Sequence, residues 1–366
     1  MKGKVITMQA AVLHERRTPL VIEDVDLAEP LAGEVRVRLA ASGVCHSDYS
    51  HYHRDTTFSK LPLVLGHEAA GVVDTVGSGV NGVTPGDHVI VAFGNKCGQC
   101  WHCQRGEPYL CTGTGDIPVR LRSGGTPLNQ FLNVGSFAPA IVVPATNCVV
   151  IRKDAPLVAA CLVACGVTTG VSAVVNAAHV EVGSSVAVIG TGGVGLNVIQ
   201  GARLAGAARI IAIDLLDNKL EYARQFGATH LVNASHEEPV QRVRELTGGR
   251  GADFTFEVIG AGKTIQQCYD MARRGGTAVV LGVAPEDATA TFSAPTLMRA
   301  AKTIIGSNYG HTRPHVDFPR IVDLWMEGKL MVEELISRRF ALDEVNEAFR
   351  ALAAGEVARG VIVYPQ

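Results

Sequence analysis

The sequence predicts an α/β protein, in which a β-rich, barrel-like domain is interrupted by a doubly wound domain built on a parallel sheet. Three observations predict it. The first ~150 residues are short alternating apolar runs separated by Gly-Asp, Ser-Gly and Asn-Gly punctuation, which favours antiparallel β structure. From Ser185 onward, apolar runs alternate with helical stretches, the pattern of βαβ units. The length of 366 residues corresponds to two domains at roughly 100–200 residues each.

The elements follow in order. Gln9 to Leu13 opens the first strand pattern, which leaves Met8 as an alternative start. Glu34 to Leu39, Ala70 to Val73 and His88 to Ala92 continue the β domain. The character changes after Cys165. Val186 to Ile189 reads as a strand, followed by a glycine turn, a helix to about Ala205 and a strand from Arg209 to Asp214. A helix over Asn218 to Phe226 and strands near Phe254–Glu257 and Thr277–Leu281 extend the parallel sheet. The last ~60 residues return to a mixed pattern and end in a strand from Gly360 to Tyr364, so the tail is expected to rejoin the first domain.

Composition narrows the function classes. Hydrophobic residues are 47% and charged residues 19%, so the chain can bury a core and is not disordered. The net charge of -2 supplies no basic excess for a phosphate backbone, and nucleic acid is not the expected partner. No apolar run approaches the ~20 residues of a membrane span, and the N-terminus lacks the apolar stretch of a secretory signal. The expectation is a cytoplasmic protein with no membrane partner and reduced thiols. Nine cysteines cannot all pair internally, and clustered thiols in such a protein point to metal.

Gly190-Thr191-Gly192-Gly193-Val194-Gly195 fits G-x-G-x-x-G. It follows a predicted strand, opens a predicted helix, and precedes by ~20 residues an acidic strand end, Asp214. Gly190 permits the tight turn, Gly192 lets backbone approach a pyrophosphate, and Gly195 allows close helix–strand packing. The helix N-terminus then presents N–H groups to the phosphates. This is the dinucleotide fingerprint of a Rossmann domain. A carboxylate at Asp214 would accept from the adenosine ribose and repel a 2′-phosphate, favouring NAD over NADP, with Lys219 as an added cationic contact. A glycine turn without nucleotide is the competing reading.

Cys97-x2-Cys100-x2-Cys103-x7-Cys111 places four thiols in one short stretch. Four thiolates at this density suit a closed, tetrahedral, structural zinc. An iron–sulfur cluster would call for different spacing and a Cys-Pro. Chance surface thiols are the remaining alternative.

Three further residues are unlinked by spacing: Cys45 in Gly43-Val44-Cys45-His46-Ser47-Asp48, His67 in the Gly66–Val73 stretch GHEAAGVV, and Cys165 in Ala164-Cys165-Gly166. Together with the lobe and the glycine turn, these motifs resemble the zinc-dependent medium-chain alcohol dehydrogenases, in the family's order and over essentially the whole chain. The resemblance implies a GroES-like catalytic domain over residues 1–166 and 307–366, with the Rossmann domain inserted at 167–306. It implies a catalytic zinc on Cys45, His67 and Cys165, with Glu68 behind it and Asp48 orienting His67. His46 and Arg359 fall at pyrophosphate contacts, Thr169 and Val194 beside the nicotinamide, and Phe93 and Phe137 in the substrate pocket. Ser47 would begin a proton relay that His51 completes. The usual relay position, five residues after the first cysteine ligand, is here Ser50, and His53 lies close by.

The implied activity is oxidation of a primary aliphatic or aryl alcohol to the aldehyde with NAD. The alternative is a formaldehyde dehydrogenase acting on a thiol adduct. Its glutathione-reading arginine would fall near Gly115, although Arg120 and Arg122 are close by. A non-catalytic scaffold of the same fold is a third reading, opposed by the complete ligand set. The long Thr112–Phe137 segment resembles the extended substrate loop of the dimeric alcohol dehydrogenases, which implies a homodimer over a homotetramer. Cys148, Cys161 and Cys268 read as small buried hydrophobes.

Overall fold

The computed structural model describes residues 5–53, 60–94, 96–113 and 118–365. The chain divides into two compact units, one of residues 1–165 and 313–366, the other of residues 166–312.

The first unit holds β1 (Ile6–Leu13), β2 (Val21–Leu27), β3 (Glu34–Val44), β4 (Leu63–Val64), β5 (Glu68–Val76), β6 (His88–Val91), β7 (Leu121–Ser123), β8 (Thr126–Gln130), β9 (Ala140–Pro144) and β10 (Cys148–Val150). The tail adds β17 (Ile336–Phe340) and β18 (Arg359–Val363). Strands β1, β2, β7, β8 and β4 close a barrel. A second sheet runs β10-β6-β5-β3-β18-β17, with β9 also on β3. The sequence pattern predicts antiparallel pairing, but β4–β8 and β17–β18 are parallel. The cause at β17–β18 is the intervening helix, Val345–Ala353, because a parallel neighbour needs a long crossover. β1 begins earlier than the alternation suggests, since Ile6 and Thr7 already pair with Leu27 and Asp26. β18 pairs with β3 from Gly360↔Val44 to Val363↔Ala41, which brings Arg359 beside the end of β3, next to Cys45.

The barrel core is aliphatic and aromatic, with Leu13, Leu39, Leu63, Phe131 and Phe137 at most 1% exposed. Gly71 is obligatory in β5, because a Cβ there would lie 2.1 Å from the Arg38 carbonyl oxygen. Three helices of this unit matter for the site: α1 (His46–His53), α2 (Trp101–Gln104) and α3 (Leu157–Ala160), the last continuing into a 3-10 turn, Cys161–Ala164.

The second unit carries β11 (Ser185–Ile189), β12 (Arg209–Asp214), β13 (His230–Asn233), β14 (Ala252–Glu257), β15 (Ala272–Val280) and β16 (Thr303–Gly306), ordered β13-β12-β11-β14-β15-β16. Every pair is parallel. Both faces of β11 and β12 are buried, which is why they read as near-continuous apolar runs. The connecting helices include α4 (Gly166–Ser172), α5 (Gly193–Leu204), α6 (Asp217–Gln225), α7 (Pro239–Leu246) and α8 (Gly262–Met271). The unit extends past residue 306 to Thr312, because the turn Asn308–His311 packs on α4. A Cβ at Gly310 would lie 2.8 Å from the Thr169 carbonyl oxygen. Among the described residues, no single helix is long and apolar enough to cross a membrane.

Candidate functional site

Three separate elements of the first unit deliver a buried donor group. Cys45 follows β3, His67 and Glu68 lie at the start of β5, and Cys165 follows the Cys161–Ala164 turn. One ligand atom from each of Cys45, His67, Glu68 and Cys165 lies within 4.8 Å of all the others. Asp48, fully buried on α1, organises two of them. Its Oδ1 lies 2.9 Å from His67 Nδ1 and accepts the Gly66 N–H, while Oδ2 accepts the Cys45 N–H at 3.1 Å. This arrangement commits Nδ1 of His67 to Asp48 and turns Nε2 toward the sulfurs. Nε2 is buried with no hydrogen-bond partner among the described residues, which is the signature of a metal-facing imidazole.

Behind the group, Arg359 Nη2 donates to Glu68 Oε2. Arg359, read from sequence as a pyrophosphate contact, is 4% exposed and has its guanidinium engaged by Glu68. Gly43 makes room for this pair, since a Cβ there would lie 2.0 Å from Glu68 Oε2.

The electrostatics call for a cation. Hydrogen bonding from Cys165 holds the Cys45 thiol well below its ordinary range, against the opposing push of burial. The same contact, together with burial, holds Cys165 well above it. Burial raises the Glu68 carboxyl to about 7, with Arg359 opposing. Burial disfavours charge on His67, but Asp48 outweighs it and raises its pKa. Metal ligation would deprotonate both thiols, and two thiolates beside the Glu68–Arg359 pair carry the charge that a divalent ion would neutralise. Two thiols and one imidazole are also a known open ligand set for zinc. The residues therefore fit that ion.

The surroundings are aromatic. Phe93 meets the His67 ring edge-on at 5.4 Å between centroids, and Phe131 does so at 5.5 Å. Phe137 does not join them. It is fully buried in the barrel core against Phe349, with the Gly66 backbone beside it. Sequence reasoning assigned the later phenylalanine of the Phe131–Phe137 segment, whereas the earlier one borders the site. Phe131 lies six residues before Phe137, and alternation alone does not distinguish the two. Ser47 Oγ stands 3.8 Å from Cys45 Sγ. His51 is held on α1 by Nδ1 against the Ser47 carbonyl at 3.0 Å and lies 4.4 Å from the Phe131 ring; burial lowers its pKa. His53 instead stacks on Tyr49, and His46 is exposed at the head of α1. Lys96, also missed from sequence, donates to the Phe93 carbonyl at 2.9 Å and lies 5.9 Å from the Phe93 ring centroid.

The second donor group is the lobe of Cys97, Cys100, Cys103 and Cys111, all half-buried, with ligand atoms within 4.8 Å of one another. Cys111 Sγ lies 3.5 Å from Cys97 and 3.9 Å from Cys100, near the sulfur–sulfur edge of about 3.8 Å that a tetrahedral zinc–thiolate site requires. Backbone N–H groups of Cys97, Gln99 and Cys100 point at the sulfurs. Backbone N–H donation from Cys103 and Thr112 draws the Cys100 thiol down to about 5, while burial pushes Cys103 up to about 12. Gly113 permits the closure, because a Cβ there would lie 2.4 Å from Cys97 Sγ.

The second unit contains the glycine turn. Gly190 has φ +94° and donates its N–H to the Ile213 carbonyl. A Cβ on Gly195 would lie 1.8 Å from the Gly190 oxygen, whereas one on Gly192 would meet nothing within 4 Å. The turn is closed on its inner side and open on its outer side, as backbone approach to a phosphate requires. Gly192 caps α5 without a side-chain hydrogen bond, so Gly193 and Val194 begin the helix on a bare N-terminus. Asp214 ends β12 beside the turn, its Oδ2 accepting from Thr191 N and Oγ1 and its Oδ1 from Leu215 N. Lys219 is half-buried on α6. Gly170 brings α4 against α5, with Val194 O 2.6 Å from its would-be Cβ, so Thr169 and Val194 belong to packed elements.

Two sequence expectations about substrate change. Arg120 is 8% exposed and is claimed by Glu34 through two hydrogen bonds of 2.8 and 3.1 Å, so it has no reach for a substrate anion. Arg122 donates to the Gly125 carbonyl. Gly115 lies outside the described residues. Cys148, Cys161 and Cys268 are buried and free.

Comparison with known proteins accords with this arrangement. Residues 31–153 match the alcohol dehydrogenase GroES-like domain, and residues 193–327 match the zinc-binding dehydrogenase domain. The S-(hydroxymethyl)glutathione dehydrogenase of Paracoccus denitrificans is 38% identical over 97% of this chain and 99% of its own. The structure of an alcohol dehydrogenase zinc-binding domain protein from Burkholderia ambifaria superposes with TM-score 0.95 at 33% identity, over 99% of this chain and 100% of its own. That of benzyl alcohol dehydrogenase from Acinetobacter calcoaceticus does so with TM-score 0.93 at 30% identity, over 98% and 100%.

Proposed function

The chain belongs to the zinc-dependent medium-chain alcohol dehydrogenase family and is an NAD-dependent alcohol dehydrogenase, and from that premise we propose that it oxidises primary aliphatic or aryl alcohols to aldehydes at the Cys45–His67–Cys165 group. The observation that carries the reading is the buried donor set with its orphaned His67 Nε2. When bound, zinc supplies Lewis acidity to the substrate hydroxyl and NAD supplies the hydride acceptor.

The chain's own residues do the rest. Cys45, His67 and Cys165 hold the ion, and Asp48 fixes the tautomer and direction of His67. The Glu68–Arg359 pair lies behind them and balances charge. Ser47 takes the hydroxyl proton, and His51, one helical turn away, passes it toward solvent. Phe93 and Phe131 form an apolar wall that suits an alkyl or aryl group and excludes water. In the other unit, the Gly190–Gly195 turn and the N-terminus of α5 receive the pyrophosphate. Asp214 and Lys219 receive the adenosine ribose, and Thr169 and Val194 flank the nicotinamide. The lobe holds a structural zinc.

A second reading, oxidation of a thiol adduct of formaldehyde, is favoured by the named activity of the Paracoccus relative and weakened by the loss of Arg120 to Glu34. Initial rates on benzyl alcohol, hexanol and formaldehyde plus glutathione, with NAD and NADP side by side, separate the two. The first reading predicts NAD-linked turnover of benzyl alcohol and hexanol; turnover confined to the thiol adduct contradicts it. We place the enzyme in the cytoplasm as a homodimer, and light scattering of the purified protein tests the assembly.

A further inference from the structure

Glu257 is a buried carboxylate that the catalytic scheme does not use. It is fully buried at the carboxyl end of β14, where β14 pairs with β11 in register Ile189↔Glu257. Nucleotides bind outside the carboxyl ends of strands in such sheets. Oε1 accepts three hydrogen bonds: from Ile259 N at 2.9 Å, Gly260 N at 2.8 Å and Thr264 Oγ1 at 2.7 Å. The Glu257 carbonyl accepts from Leu281 N and Gly282 N. Oε2 is buried with no partner among the described residues. A carboxyl group in this setting is expensive to bury, and one donor short of satisfaction it is not explained by stability alone.

What the carboxylate fixes is the loop Val258–Ile259–Gly260, which packs on the nucleotide turn. A Cβ at Gly190 would lie 2.9 Å from Ile259 Cγ1 and 3.0 Å from Val258 Cγ2, and one at Gly195 would lie 3.3 Å from Val258 Cγ2. Ile259 itself remains 53% exposed, so burial of its side chain does not hold the loop. The hydrogen bonds to Oε1, with the Val258 N–H on the Ile189 carbonyl, hold it. We propose that Glu257 is a cofactor-positioning residue, which holds the Val258–Gly260 loop as the wall against which the Gly190–Gly195 turn is set for the dinucleotide. The proposal rests on NAD binding at that turn.

The test is the dissociation constant for NADH, read by fluorescence titration of the zinc-loaded enzyme, with the KM values for NAD and for alcohol measured beside it. Glu257→Ala is expected to weaken NADH binding about tenfold, and Glu257→Asp, which keeps the charge but shortens the reach, several-fold. Glu257→Gln, whose carbonyl oxygen still accepts all three bonds, should restore most of the affinity. The KM for NAD should rise with the dissociation constant, while the KM for alcohol and the zinc content stay at wild-type values. Should Glu257→Ala fail to fold, Glu257→Asp decides. Wild-type affinity in a folded Ala or Asp variant overturns the proposal, as does a loss of thermal stability unaccompanied by weaker NADH binding. A wild type that binds no NADH overturns the NAD reading and this proposal together, and that result is distinguishable from the others.

Discussion

The two four-donor groups of this chain differ in almost every respect that decides function. The lobe draws its ligands from one stretch, Cys97 to Cys111, uses four identical sulfurs, and is half-exposed. The second group draws on residues as far apart as Cys45 and Cys165, mixes sulfur, nitrogen and carboxylate, and is buried. Backbone N–H groups surround the lobe's sulfurs, and four thiolates would fill a tetrahedral zinc and leave no place for substrate. Charged side chains surround the second group, and Ser47, His51 and Phe93, which we propose act on substrate, are its neighbours. A closed four-ligand site can only order a loop, whereas one with an open coordination position can take a substrate.

The sharpest way to break this contrast is to remove a group that serves only the second site. Ser47→Ala should lower kcat for benzyl alcohol about 100-fold, with both zinc ions retained; unchanged turnover at saturating NAD would remove Ser47 from the proton path. The converse change is Cys103→Ser in the lobe. It should release that zinc and lower the melting temperature by roughly 5–10 °C, while the folded fraction keeps its kcat. A collapse of kcat in folded protein would mean that the lobe is not merely structural.

Acid should also separate the sites. Cys100 is anionic at neutral pH because its pKa is drawn down to about 5. A group whose folded pKa is depressed contributes stability above its unfolded range, and that contribution is lost as pH falls toward the folded value. Protons compete with zinc for the thiolates, so lobe zinc should be retained at pH 7 and released to a chromogenic chelator on acidification. Release already complete at pH 7 would contradict the assignment. The smallest expected effect probes the strip between the two groups. Lys96 supports Phe93 from the lobe side, and Lys96→Met should raise the KM for benzyl alcohol about threefold by loosening that wall. An unchanged KM would show that Phe93 holds its place without the lysine.

The same contrast explains what could be read from sequence. The lobe was legible because its ligands are neighbours in the chain, and spacing is a local property. The glycine turn was legible because strand, turn, helix and Asp214 fall within one βαβ unit. Cys45, His67 and Cys165 were linked only by resemblance, since no periodicity joins residues on different elements. Sequence could not show what Arg359 and Arg120 engage, because their buried carboxylates, Glu68 and Glu34, are far from them in the chain. Phe131 gave no sequence signal that set it apart from Phe137, because which of the two borders the site depends on how the chain turns between β8 and β9. Glu257 gave no signal, since a glutamate at a strand end looks exposed until the loop folds over it.

The central claim is that the chain holds two zinc ions of different roles, and that the Cys45 group is the one that turns over substrate. Zinc counted per chain by elemental analysis, in wild type and in Cys45→Ser, alongside NADH formation from benzyl alcohol, tests it most directly. Two ions with activity in the wild type and one ion without activity in the variant are the predicted result. A variant that loses an ion and keeps its activity, or a wild type that is active with a single ion, would contradict it.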